Sequence, residues 1–170
     1  MSLKVTKKER KAKRSLIIQK QRVTKIENYL MENTEQVECP VNHYFTDNEG
    51  DGLNICCREF SLPADTIATG TIYKLECFWV MIKGRARLVE GDHTRDIEAP
   101  CLLKNVVNTK NAVYAYEDCL FYGFTPNPNN SRNLEEVVNL FSAIPANEVM
   151  GFPGNKQKLI CDKRMLENAK

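Results

Sequence analysis

Few residues in this sequence have the types and spacing that chemistry requires. The two histidines, His43 and His93, lie far apart, and neither belongs to a cluster of imidazoles and carboxylates with the spacing of metal ligands. The chain contains no G-x-S-x-G, P-loop, G-x-G-x-x-G or H-E-x-x-H motif. The sequence therefore predicts a protein that is not an enzyme and that carries no metal and no cofactor.

Two neighbouring pairs remain as acid–base candidates. Tyr73 and Glu76 are three residues apart, which places them on opposite faces of a strand. His93 and Asp96 lie in a segment that is more typical of a solvated turn. Neither pair makes a convincing catalytic site.

The cysteines indicate the redox compartment. There are seven, an odd number, and no two have C-x-x-C spacing. This usage predicts reduced thiols in a reducing compartment. Several lie inside apolar runs, where a thiol packs as a small apolar side chain.

The charge of the chain is unevenly distributed. Residues 1–26 hold ten Lys or Arg and one acid, Glu9, so this segment carries +9 and the rest of the chain −7. Such a basic arm predicts an anionic partner, which could be nucleic acid, an acidic protein surface or the acidic body of a second copy. We predict that the arm binds its partner through Lys7, Lys8, Arg10, Lys11, Lys13 and Arg14.

The same arm has the pattern of a helix. Residues 1–32 contain no Gly or Pro, and Leu16, Val23 and Leu30 are spaced by seven, with Ile26 on the same stripe. We predict an amphipathic helix whose second half packs on the protein. Its first half would project as a basic arm, and DNA contact would run through residues 4–25.

Three further segments follow the arm. Residues 33–52 are predicted to be an acidic, polar linker. Residues 53–128 contain eight short runs rich in Val, Ile, Tyr, Phe and Thr, which predict a β domain of sandwich or barrel type. Residues 129–170 are predicted to form a short helix, Leu134–Phe141, capped by Asn133, and an extended tail with a last helix near residues 162–168.

Adjacent aromatic residues in the β domain predict an outward apolar surface. Phe78 precedes Trp79, and Phe121 precedes Tyr122. Because successive side chains of a strand point to opposite faces, one ring of each pair must face outward. Outward rings on a small domain indicate a second protein surface and therefore an oligomer.

The β domain resembles a known family. Leu62–Lys74 followed by Val80–Val89 resembles the first half of a small cupin domain, and Ile97–Pro100 followed by Asn108–Asp118 resembles the second half. The closest similarity is to small phage-encoded cupin-like proteins, over residues 60–128. The resemblance implies a mainly β fold, a cupin-like jelly roll, flanked here by the basic helix and the C-terminal helix and tail.

The sequence departs from the family where the metal ligands belong. A metal-binding cupin has two His and a Glu in its first motif and one His in its second. The corresponding positions here hold Tyr73, Leu75 and Cys77 or Phe78, and then Asn111 or Ala112. The resemblance therefore implies a cupin-like protein without the metal-binding histidines.

These observations favour a structural protein. We expect a non-enzymatic assembly subunit, a phage virion component such as a head decoration or head–tail accessory protein, assembled in the reducing host cytoplasm. It would form a homo-oligomer through its jelly roll and terminal arms and contact other virion proteins. No apolar run approaches the length of a membrane span, so we expect no membrane partner.

Two alternatives remain open. One is a metal-independent cupin-type small-molecule binding protein or enzyme, with ligand contacts near the barrel mouth from Tyr73, Trp79, Arg85 and Arg87. The other is a nucleic-acid binding protein that works through its basic N-terminal helix.

Overall fold

A computed structural model describes residues 21–35, 39–48, 53–90 and 93–145 of the chain, together with the backbone of residues 158–160. The predicted basic contacts of residues 7–14, Leu16 and the helix near residues 162–168 lie outside the described residues. No helix in the described part of the chain is long and apolar enough to cross a membrane.

In the described part of the chain, ten strands form two five-stranded antiparallel sheets. The strands are β1 Val41–Phe45, β2 Ile55–Leu62, β3 Thr66–Thr69, β4 Cys77–Lys83, β5 Arg85–Glu90, β6 His93–Glu98, β7 Cys101–Asn105, β8 Ala112–Ala115, β9 Cys119–Pro126 and β10 Lys158–Ile160. The first sheet has the order β1-β2-β9-β4-β7, and the second has the order β10-β3-β8-β5-β6. Without β1 and β10, the eight strands have jelly-roll connectivity.

The core lies between the two sheets because the strands alternate buried and exposed residues. On β2, Cys56, Arg58, Phe60 and Leu62 face inward. The rings of Phe60 and Phe121 stack with centroids 4.8 Å apart, and Phe60 meets Trp79 edge to face at 5.1 Å. This aromatic cluster joins β2, β9 and β4 at the centre of the first sheet.

The predicted linker needs a correction. Residues 41–45 form β1, an edge strand that pairs with β2 in the register Val41 to Phe60 and Phe45 to Cys56. The β domain therefore begins before residue 53. This strand resembles a connection in the sequence because it follows Pro40 and carries polar side chains, which an edge strand tolerates on its outer face.

The turn at Gly84 connects the two sheets. The strands β4 and β5 that it joins lie in different sheets, so this single residue makes the chain cross from one layer to the other. Its φ of 92° requires the conformational freedom of glycine. By contrast, β5 and β6 do pair as a hairpin, with Glu90 opposite His93.

The N-terminal helix packs on the outside of the second sheet. Residues 21–33 are helical (α1), and Val23 and Leu30 of the predicted stripe are fully buried. Val23 clusters with Val89 and Ala112 of the sheet. Glu27 pairs with Lys110 and accepts a hydrogen bond from the Thr69 hydroxyl at 2.8 Å, so charge and packing both anchor α1.

The second helix closes one end of the sandwich. It spans Leu134–Phe141 (α2), and the Asn133 side chain accepts a hydrogen bond from the Glu135 amide, as the sequence predicts. Val138 and Phe141 enter the main core, and the Phe141 ring stacks on Tyr73 with centroids 6.3 Å apart. The helix thus closes the core beside Tyr73.

Candidate functional site

A small cavity lies between the sheets. Its volume open to water-sized molecules is about 60 Å³. Apolar walls come from Phe60, Leu88, Leu103, Val113 and Phe121. The polar groups that line it are Arg58, Thr71, Tyr73, Trp79, Asn105 and Asn111, with Glu90 also contributing a carboxylate.

Arg58 is the most unusual of these residues. It occupies an inward position of β2, and only 8% of its surface is exposed. Its guanidinium carbon lies 5.8 Å from the centre of the Phe60 ring and 6.0 Å from that of Trp79, within cation–π range. Burial lowers the pKa of Arg58, while nearby Tyr73 and Cys56 act in the opposite direction. The cavity therefore has a buried positive charge in its wall.

The other polar groups near this charge include both hydrogen-bond donors and acceptors. Trp79 Nε1 is buried and makes no hydrogen bond of good geometry within the described part of the chain, although it lies near the Tyr73 hydroxyl and the Cys77 thiol. Burial is the main cause of the raised pKa of Tyr73, so this phenol keeps its proton at neutral pH. Asn111 donates to Asn105 Oδ1 at 2.8 Å, and Asn105 donates to Cys77 Sγ at 3.7 Å.

The cavity does not fit a divalent cation. No group of three or more His, Cys, Asp or Glu residues that could hold a metal occurs in the part of the chain that the structure describes. His43 lies opposite Arg58 on the inner side of β1, and burial together with the Arg58 charge lowers its pKa to about 4. A cation bound here would face that guanidinium, so the electrostatics oppose it.

The structure brings together only part of the predicted ligand contacts. Tyr73 and Trp79 both line the cavity. The prediction for Arg85 and Arg87 was wrong, because Ala86 and Leu88 take the inward positions of β5 and the arginines face outward. Their guanidinium carbons lie 5.1 Å and 5.6 Å from the centre of the half-buried Tyr116 ring.

The outward charges are paired on the surface of the second sheet. Arg87 Nε donates to Asp96 at 2.7 Å, and the Tyr116 hydroxyl donates to the same carboxylate at 2.9 Å. These bonds hold the pKa of Asp96 below its usual range. Asp96 is therefore engaged in a surface cluster, which is not the arrangement of a general base with His93.

Sequence reasoning assigned no ligand contact to five other polar residues of the cavity wall: Arg58, Thr71, Glu90, Asn105 and Asn111. A signal for Arg58 existed, because the segment Ile55–Leu62 alternates and places residue 58 on the same face as Phe60 and Leu62. Asn105 gave no comparable signal, and Asn111 was named only as a position where a metal-binding cupin has a histidine. They are six residues apart on either side of a turn, and only the fold brings them together.

A second candidate surface is the outer face of the first sheet. Three of its large apolar residues are well exposed: Leu102 at 65%, Phe78 at 49% and Phe124 at 41%. The register places Phe78 beside Phe124, and places Val80 between Tyr122 and Leu102. These neighbours form a continuous apolar patch across β9, β4 and β7, which we call the outer face.

Polar groups border the outer face. Glu59 on β2 accepts hydrogen bonds from Asn42 at 2.7 Å and from the Tyr122 hydroxyl at 2.5 Å. The bond from Tyr122 is the main cause of the lowered pKa of Glu59, and it raises the pKa of Tyr122 to about 12. On the opposite side, Lys104 of β7 pairs with Glu76 at 2.8 Å. The outer face is thus apolar at its centre and charged at its borders, as protein interfaces are.

Several solved structures with a similar fold are cupin proteins. No protein-family model matches the chain, and no curated protein matches it. An oxalate decarboxylase from Lactobacillus farciminis, solved as a formate complex, is 14% identical with a TM-score of 0.51, over 79% of this chain and 47% of that one. A cupin-superfamily protein from Desulfitobacterium hafniense is 10% identical with a TM-score of 0.43, over 55% and 82%.

A further neighbour is a cupin 2 conserved barrel domain protein from Salinispora arenicola. It is 13% identical with a TM-score of 0.45, over 59% of this chain and 86% of that one. The neighbours include both an enzyme and proteins described only by their fold. Taken with the sheet order, the likeness to the oxalate decarboxylase shows the fold and not the activity: the chain is a mainly β protein with a cupin-like jelly roll.

Proposed function

We propose that this protein is a non-enzymatic assembly subunit that associates with a second copy of itself through the outer face. The observation that carries the proposal is the continuous apolar patch around Phe78, Phe124 and Leu102 on a regular sheet. Apolar residues scattered singly on a surface are ordinary, whereas a contiguous patch marks a contact surface.

The borders of the outer face are suited to pairing with themselves. Two sheets that pack face to face about a two-fold axis parallel to the strands place β7 of one copy over β2 of the other. Lys104 on β7 is level with Cys57 of β2, so its side chain would extend toward the partner's Glu59, two residues further along that strand. The proposed dimer would bury the apolar centre and set opposite charges together at both ends.

The wider role that we propose is that of a phage virion component, a head decoration or head–tail accessory protein. Its support is the resemblance to small phage-encoded cupin-like proteins and the +9 charge of residues 1–26. Helix α1 is anchored on the second sheet by Glu27 and Lys110, on the side of the sandwich away from the outer face. A basic arm that continues from α1 could bind an acidic neighbour or DNA while the outer face is occupied.

The mass of the full chain in solution tests self-association. We expect light scattering to give a dimer or larger oligomer at micromolar concentration, and the same mass at low and high salt, because apolar burial resists screening. A monomer under both conditions would refute the proposal. An oligomer that dissociates in salt would indicate contacts through the charged arm instead of the outer face.

A further inference from the structure

We propose that the cavity between the sheets binds a small carboxylate, whose charge Arg58 neutralises and whose short apolar part lies against the aromatic wall. The site lies inside the sandwich, and the outer face lies outside it. Binding there is therefore independent of the proposed self-association.

The charge in the cavity wall favours an anion. A guanidinium offers five N–H donors in a planar fork, which matches the two oxygens of a carboxylate. Arg58 carries that fork within the core, 8% exposed, where little water screens its charge. An anion in the cavity would therefore interact with Arg58 more strongly than with an arginine on the surface.

Two hydrogen-bond donors near Arg58 add to the preference of the cavity for an anion. Trp79 Nε1 is a donor only, and it lies at the cavity near the Tyr73 hydroxyl and the Cys77 thiol. The Tyr73 phenol stays protonated and can donate as well. A carboxylate offers enough lone pairs to accept from Arg58 and from these groups at once, which a neutral apolar ligand does not.

The volume limits the size of the ligand. A water molecule needs roughly 10–15 Å³ of space measured in this way, so the 60 Å³ of the cavity admits about four to six non-hydrogen atoms. Short-chain carboxylates such as propionate fall in this range. Phe60, Leu88 and Phe121 can contact an alkyl group, which would favour propionate over a fully polar anion of the same size.

The acidic residue Glu90 provides a second test of the charge preference, because its removal should raise the affinity for a carboxylate. Glu90 also lines the cavity, and its carboxylate accepts a hydrogen bond from Arg95 at 3.1 Å. Its negative charge opposes the entry of an anion. Glu90→Gln should therefore strengthen carboxylate binding by roughly two- to threefold.

Trp79 provides the measurement, because it is the only tryptophan of the chain and lines the cavity. Full-length protein is titrated with sodium propionate at constant ionic strength, with chloride as the replaced anion. We expect a saturable change in tryptophan fluorescence. Propionamide, which has the same shape without the charge, should bind at least roughly tenfold more weakly.

Variants then assign the effect to Arg58. Arg58→Met should weaken propionate binding roughly tenfold or more, whereas Arg87→Met, a matched change on the outer surface, should leave it unchanged. If Arg58→Met does not fold, the comparison with propionamide and the Glu90→Gln variant still test whether the cavity binds a carboxylate through its charge. The absence of saturation with propionate, equal binding of propionamide, or weaker binding in Glu90→Gln would each overturn the proposal.

Discussion

Replacing Phe78 and Phe124 together with glutamate should convert the self-associated protein to a monomer. The two rings are cross-strand neighbours at the centre of the outer face, each more than 40% exposed. Burying a phenylalanine contributes about 1.5–3 kcal/mol, and each new carboxylate would have to be desolvated in the interface. We expect the dissociation constant to rise by roughly a thousandfold or more, which sedimentation velocity over a concentration series measures.

A matched variant separates this effect from a general loss of apolar surface. Tyr29 and Met31 on α1 are exposed to a similar degree, 49% and 52%, and lie on the other side of the sandwich. Replacing both with glutamate should leave the mass of the oligomer unchanged. If the Phe78 and Phe124 variant keeps the wild-type mass, or if both double variants dissociate equally, the outer face is not the interface.

Replacing Gly84 with alanine should strongly destabilise the fold. The residue has a φ of 92°, where alanine is strained, and a Cβ atom would lie 2.6 Å from the Asp118 carbonyl oxygen and 2.7 Å from Cys119 Sγ. The backbone strain and the overpacking each cost about 1–3 kcal/mol. We expect the free energy of unfolding, measured by urea denaturation, to fall by about 2–5 kcal/mol.

Gly70 provides the control for this substitution. A Cβ atom there would lie no closer than 3.5 Å to a neighbour, and its backbone needs no positive φ. Gly70→Ala should therefore change the free energy of unfolding by less than about 1 kcal/mol. Equal stability of the two alanine variants would show that the single-residue crossing between the sheets tolerates a side chain.

The strands of the β domain could be predicted because their periodicity is local. Eight strands could be placed from apolar runs bounded by turn residues and from alternation of apolar and polar residues, as in Ile55–Leu62 and Cys119–Pro126. The edge strand β1 could not be found in this way. Its five residues are all partly or fully exposed, so burial leaves little signal in the sequence. The strand is held by pairing with β2 and by the packing of Val41 against the core.

The candidate surfaces were predictable to different degrees. The outer face follows from strand geometry, since Phe78 and Trp79 must point to opposite sides, and the structure confirms that Trp79 is inside and Phe78 outside. The cavity depends on packing between sheets. Tyr73, on an isolated bridge to Ser142, reaches it only because the chain after β3 folds back against α2.

The reactivity of Cys57 tests the proposed interface most directly. This partly exposed cysteine pairs with Phe124 on the outer face, whereas Cys101, also partly exposed, faces the core side of the same sheet. Alkylation of each thiol is followed by mass spectrometry as the protein concentration is raised through the range of association. The account predicts that the rate at Cys57 falls severalfold while the rate at Cys101 stays constant. An unchanged rate at Cys57 in a protein that does associate would contradict it.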